Sequence, residues 1–204
     1  MSRKMICKKY KVIFIHIPKT AGTSIEYMFG FFEKVNNGKI ILNKNIGRTH
    51  LSIKEIQEQF PEYYKDFYRF TIVRNPWSKA LSMYNMLTHS KHYSISFKEY
   101  IKTIILPKSK LKTSLHRSQL SFITINGEIK VDYIMRYEEL EKEWVCLCQK
   151  IQKPFETMVN MLKFKNPTES MESGYDQENI DLIAKIYKKD IEYFNYDFPA
   201  KTTS

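Results

Sequence analysis

The stretch Phe14-Ile15-His16-Ile17-Pro18-Lys19-Thr20-Ala21-Gly22-Thr23-Ser24 decides how the rest of the chain is read. It begins as the end of a buried strand running from Val12 to Ile17, turns at Pro18 and Gly22, and starts a helix at Thr23 and Ser24. Such a junction offers backbone N–H groups and the positive end of a helix dipole, so an anion is its natural occupant. Lys19 adds a point charge on a flexible stem, and Thr20, Thr23 and Ser24 add hydroxyl donors suited to phosphate or sulfate oxygens. A plainer reading competes, because Thr23 with Glu26 three residues on also fits a capping box that needs no ligand. The Walker order Gly-x4-Gly-Lys-Ser/Thr is absent, since Lys19 precedes the loop's glycine. An anion held here is therefore not held by an ordinary nucleoside triphosphate loop.

A second junction of the same type follows at Phe70 to Tyr84, FTIVRNPWSKALSMY. Phe70 to Val73 is a β-branched apolar run, Asn75 is a good helix N-cap, and Pro76 suits the first helical position. Arg74 then stands at the carboxyl end of a strand, with Ser82 about two turns into the next helix. The planar guanidinium can make two charge-assisted bonds to a dianionic phosphate at once. Taken alone, Arg74 could equally pair with a carboxylate and Ser82 be an ordinary helix serine.

The order Pro18, Lys19, Thr20, Ala21, Gly22, Thr23, Ser24 resembles the 5′-phosphosulfate loop of sulfotransferases that use 3′-phosphoadenosine-5′-phosphosulfate (PAPS). The lead-in His16-Ile17-Pro18-Lys19 is most similar to the carbohydrate-modifying branch of that family, the heparan 2-O-type and bacterial enzymes. The eight-residue interval from Arg74 to Ser82 is similar to the family's 3′-phosphate motif. The resemblance implies a P-loop-like α/β fold, a three-layer sandwich with a mostly parallel central sheet, helices on both faces and the donor at the carboxyl ends of the strands. It further implies that Pro18 to Ser24 surround the 5′-phosphosulfate, that Lys19 stabilises charge on the leaving oxygen, and that Arg74 and Ser82 fix the 3′-phosphate. PAPS would be the co-substrate, a hydroxyl of a saccharide or glycolipid the acceptor, and adenosine 3′,5′-bisphosphate the product, with no metal required.

A proton acceptor is the remaining need. His50, in Gly47-Arg48-Thr49-His50-Leu51-Ser52, precedes an expected helix from Ser52 to Phe60 with Glu55 three residues after its cap. Histidine takes a hydroxyl proton near neutral pH without unusual tuning. The segment resembles the Gly-His loop that supplies the catalytic base in the heparan-type 2-O branch, although Arg48 and Thr49 stand between glycine and histidine here. A structural role for His50 is the alternative, and His16 is the rival base.

Composition sets outer bounds. At 204 residues, with 43% hydrophobic content, the chain suits one α/β domain over residues 1–204. A net charge of +11 favours anionic partners without choosing among them. Two rivals follow, a non-catalytic basic nucleic-acid-binding protein and a nucleotide kinase-like P-loop enzyme. The first lacks a recognised binding motif, so no nucleic acid partner is expected, and the second lacks the Walker lysine. Cys7, Cys146 and Cys148 are too few for a disulfide framework, and Cys146 and Cys148, two apart in an expected helix, make a poor metal pair, so reduced thiols in or near a core are expected. No signal peptide or transmembrane segment is visible, so the expectation is a cytoplasmic protein of bacterial or viral type, where similar eukaryotic enzymes are Golgi-anchored.

Elsewhere the patterns predict a helix over Thr23–Phe32 with Ile25, Met28, Phe29 and Phe32 inward, a turn at Asn36-Asn37-Gly38, and a short strand from Lys39 to Leu42. A helix over Phe97–Ile105, an Asn126-Gly127 turn, a strand over Val131–Arg136 and a helix from Glu138 to Ile151 follow. Arg136-Tyr137-Glu138-Glu139-Leu140 and Gln119 resemble family elements that support the fold. Lys108 to Arg117 reads either as a solvated basic face or as an acceptor-binding lip. Lys153 to Gly174 reads as a loop over the nucleotide, and Asp176 to Tyr193 as one amphipathic helix with Ile180, Ile183, Ala184 and Tyr187 on one face.

Overall fold

Runs of branched and aromatic residues at Val12–Ile15, Tyr68–Val73 and Tyr133–Arg136 pair side by side. The computed structural model describes residues 5–31, 35–36, 39–40, 50–89, 95–105, 116–158 and 174–199. In chain order the first elements are β1 (Ile6–Cys7), β2 (Val12–Ile15), α1 (Gly22–Met28), β3 (Val35–Asn36) and β4 (Lys39–Ile40). Next come α2 (Ile53–Gln59), α3 (Pro61–Asp66), β5 (Tyr68–Val73), α4 (Pro76–His89), α5 (Phe97–Tyr100) and a π-helical turn (Ile101–Ile105). The chain continues through α6 (Leu120–Ile123), β6 (Thr124–Ile125), β7 (Glu128–Ile129), β8 (Tyr133–Arg136), α7 (Leu140–Lys150), α8 (Gln177–Ile186) and α9 (Lys188–Phe194). These residues form two compact units, one within Met1–Val73 and Ser121–Lys163, the other within Arg74–Leu120 and Phe164–Ser204.

The first unit holds a four-stranded sheet in the order β1-β2-β5-β8, in which β1 runs antiparallel and the other three are parallel. Ile15 stands opposite Thr71 and Val73 opposite Arg136, so the carboxyl ends of neighbouring strands are aligned. Alternation along the strands sends Val12, Phe14, Phe70, Ile72 and Met135 to one face, where α1 contributes Ile25 and Met28 with its C-cap Phe29, and α7 contributes Trp144, Leu147 and Cys148. Phe14 stacks on Phe70 at 5.1 Å, and Phe29 meets Trp144 edge to face at 5.8 Å. Each side chain of this size contributes about 1.5–3 kcal/mol by burial alone. All four residues of β2 are buried, as a strand covered on both faces must be. At the edge, Arg69 grips Asp132 through two guanidinium bonds of 2.8 and 2.7 Å and its own backbone N–H at 2.7 Å, tying β5 to the approach of β8.

The second unit is helical and aromatic. Its core joins Tyr84 of α4 to Phe97 and Tyr100 of α5 at 5.2 and 5.6 Å, and Phe97 to Tyr175 at 4.9 Å. Trp77 packs edge-on to Phe198 and donates its indole N–H to the Ile180 carbonyl at 3.0 Å, while Tyr175 donates to the Trp77 carbonyl at 2.8 Å.

Several boundaries differ from expectation for local reasons. β2 ends at Ile15 rather than Ile17, because the Ile17 N–H turns back onto the Ile15 carbonyl. The helix over Phe97–Ile105 is α-helical only to Tyr100 and continues as the π turn. The C-terminal helix is two helices: Tyr187 leaves helical geometry with ψ 25°, and its buried hydroxyl donates to the His116 carbonyl at 3.2 Å. Tyr137–Glu139 form a 3-10 turn before α7. Other expectations hold: Ser52 makes a full capping box with Glu55, and Asn126 and Gly127, both at positive φ, join β6 to β7. Phe32, Asn37, Gly38 and residues 41–49, 106–115 and 159–173 lie outside the described residues, and with them most of the expected basic lip and nucleotide loop.

Candidate active site

The loop after β2 is made by backbone conformation. Lys19 and Ala21 both adopt left-handed φ, 67° and 65°, on either side of Thr20. Non-glycine residues there cost about 1–3 kcal/mol each, and the cost is concentrated where backbone N–H groups are turned together as an anion-binding concavity. Thr20 is fully buried and donates its hydroxyl to the Ile17 carbonyl at 2.8 Å, so its hydroxyl holds the loop. Lys19 is half-buried. The helix begins at Gly22, one residue before Thr23, capped by the Ala21 carbonyl, which accepts from Ser24 and Ile25 at 2.9 and 3.2 Å.

Glycine at 22 answers a need for space, since its φ is not in the left-handed region. A Cβ there would sit 1.9–2.5 Å from three atoms of the His16 ring. The Thr23–Glu26 capping box does not form: Glu26, buried in α1, accepts from His16 Nδ1 at 2.7 Å instead. His16 lies flat on Phe14 at 5.4 Å and edge-on to His50 at 4.4 Å. His50 Nδ1 lies 3.0 Å from the His16 backbone carbonyl. A carbonyl can only accept, so Nδ1 carries the proton and the neutral His50 ring keeps its acceptor lone pair on Nε2. That tautomer is the one a general base needs. Sequence reasoning placed Lys19, His16 and His50 as candidates and missed Glu26, whose spacing from Thr23 pointed to a cap.

In the second unit the Arg74 junction is made by side chains. Asn75 caps α4 as expected, its Oδ1 accepting from Trp77 and Ser78 at 3.1 and 3.3 Å while its Nδ2 donates to the Asp197 carbonyl at 2.8 Å. Pro76 opens the helix. Arg74 is half-buried and Ser82, two turns along, is half-buried as well. The Gln119 amide holds both backbone groups of Arg74, accepting from its N–H at 2.9 Å and donating to its carbonyl at 2.8 Å. Lys79 is buried on α4 with its ammonium over the Tyr187 ring at 5.4 Å. Burial pulls its pKa down to about 8; the Asp190 charge opposes that shift and Arg74 adds to it. Lys79 and Asp190 were not singled out in the sequence; Lys79 stands three residues before Ser82, a spacing that shares a helix face with it.

Among the described residues no three His, Cys, Asp or Glu side chains gather as a metal site. Cys7 and Cys148 are buried in the first unit's core and Cys146 is half-buried, all as free thiols. Among the same residues no helix is long and apolar enough to cross a membrane.

Comparison with known proteins adds a family. A model of the sulfotransferase family matches residues 2–197. An uncharacterized protein of Archaeoglobus fulgidus is 30% identical over 93 residues, which cover 45% of this chain and 73% of that protein. No solved structure matches. The mixed α/β fold with its mostly parallel sheet agrees with the family match, so the chain belongs to the sulfotransferase family, and that membership implies a PAPS-dependent transferase.

Proposed function

We propose that the chain moves the sulfuryl group of PAPS to a hydroxyl of a saccharide or glycolipid, as a member of the carbohydrate-modifying branch. The observation that carries this reading is the parallel pairing of β2 with β5, because the strand leading into the Pro18–Ser24 loop and the strand leading into Arg74 end side by side. Backbone N–H groups of Thr20 to Thr23, with the Ser24 hydroxyl beside them, bind the 5′-phosphate, with Pro18 setting the turn and Ala21 and Gly22 giving the loop its shape. The Lys19 ammonium stabilises negative charge growing on the bridging oxygen, and Arg74 with Ser82 binds the 3′-phosphate.

The co-substrate supplies an activated sulfuryl group. What the chain adds is position, charge and one proton acceptor. His50 takes the acceptor's hydroxyl proton on Nε2, the nitrogen that bears the ring's lone pair when Nδ1 donates to the His16 carbonyl. His16, buried and tied to Glu26, serves as the support of that arrangement.

The experiment is sulfate transfer from labelled PAPS to a panel of saccharides, glycolipids and sugar-free alcohols, run with wild-type protein and with His50→Ala. Sulfated saccharide from the wild type, no product from His50→Ala and equal bisphosphate binding by both are expected. Undiminished turnover in His50→Ala would pass the base role to another group. Transfer confined to acceptors without sugar would overturn the carbohydrate assignment.

A further inference from the structure

Asp190 stands in the first turn of α9 with no exposed surface, a place where an ionised carboxylate is expensive unless its oxygens are filled. They are filled by three consecutive residues. Oδ1 accepts from the Ser118 hydroxyl at 2.6 Å and the Leu120 N–H at 3.0 Å, and Oδ2 accepts from the Gln119 N–H at 2.7 Å. The carboxylate thus fixes the backbone that carries Gln119. The Gln119 side chain, equally buried, then takes both backbone groups of Arg74, the two bonds that a neighbouring strand would otherwise supply.

We propose that Asp190 is a positioning residue for recognition of the donor's 3′-phosphate, acting through Gln119 to fix the backbone from which the Arg74 side chain is presented. The inference rests on the assignment of Arg74 given above. A guanidinium that makes two directed bonds gains most from a fixed base, because each degree of freedom left to the backbone is lost on binding. Lys79 belongs to the same buried arrangement, its charge set against that of Asp190. A carboxylate that far along the chain from Arg74 makes the C-terminal helix part of donor recognition without touching the donor.

The test titrates the full chain calorimetrically with adenosine 3′,5′-bisphosphate and with AMP, and reads the ratio of the AMP dissociation constant to that of the bisphosphate. Each variant is measured at a temperature where circular dichroism shows it folded. Asp190→Asn keeps the shape but turns an acceptor into a donor facing donors, so the ratio should fall by about tenfold while AMP affinity stays unchanged. A wild-type ratio in folded Asp190→Asn overturns the proposal. If that variant does not fold, Ser118→Ala removes the 2.6 Å bond and leaves the Asp190 carboxylate in place. A ratio lowered by about threefold then supports the proposal, and an unchanged one overturns it. A merely structural staple would lower the thermal midpoint and leave the ratio alone. Arg74→Ala, run beside these, separates the two levels: discrimination that survives there sinks the Arg74 assignment itself, whereas discrimination lost there and kept in Asp190→Asn sinks only the positioning role.

Discussion

Two strand-to-helix junctions are built from the same sequence grammar and held by different means. After β2, the loop is set by backbone conformation and by space: left-handed Lys19 and Ala21, a buried Thr20 bonded three residues back, and a glycine that leaves room for His16. After β5, Arg74 is set by side chains that arrive from far along the chain, Gln119 on its backbone, Asp190 beneath Gln119, and the Asp197 carbonyl on Asn75. The first junction is local and stiff. The second depends on partners 45 to 122 residues away, so it can be loosened by changes that touch no candidate ligand contact.

The comparison predicts where damage appears. Lys19→Ala should cut turnover by about 100-fold or more while leaving bisphosphate affinity near wild type, because the charge is needed most as the sulfuryl group departs. Single-turnover rates beside calorimetry check this, and equal losses in both would make Lys19 a simple binding residue. Arg74→Ala should instead weaken the bisphosphate by about 10- to 100-fold, the equivalent of about 1.5–3 kcal/mol for bonds to a charged group, and leave AMP unaffected. Wild-type bisphosphate affinity in that variant would remove Arg74 from the 3′-phosphate.

Gly22→Ala probes the spatial demand of the first junction. Its methyl must displace the His16 ring, at a cost of about 1–3 kcal/mol for overpacking, read as a lower thermal midpoint. An unchanged midpoint would mean that the ring moves freely and that the His16–Glu26 pair fixes little.

The smallest effect concerns Lys79. Its folded pKa of about 8 lies below the ordinary 10.5, so between those values the unfolded chain binds the extra proton. The contribution of Lys79 to stability must then rise with pH across that window and be poorest below it. Tyr187, facing it, is pushed above its ordinary range, first by burial and then by Asp190, and does not confuse the reading. The difference in unfolding free energy between wild type and Lys79→Met should therefore shift toward the wild type from pH 8 to pH 10. A flat difference contradicts a buried, charge-strained lysine.

What could be read in the sequence follows the same division. β2, β5, the Ser52–Glu55 box and the Asn75 cap depend on neighbours a few residues away, and the chain displays them. The Lys19, His50, Arg74 and Ser82 positions came from spacing and family resemblance. Glu26 was misleading because its three-residue interval from Thr23 fits a cap, while its true partner, His16, lies ten residues back. The left-handed Lys19 and Ala21 were hidden because neither residue type favours positive φ. Asp190 and the break at Tyr187 depend on pairing with residues 116–120, and no local pattern announces them.

The most direct measurement is calorimetric titration of the chain with adenosine 3′,5′-bisphosphate beside AMP and ATP at one salt concentration. The account predicts tight binding of the bisphosphate, falling sharply when the 3′-phosphate is missing and not restored by the triphosphate. Equal, weak and salt-sensitive binding of all three would contradict it, because a general basic surface would then explain everything attributed to the two junctions.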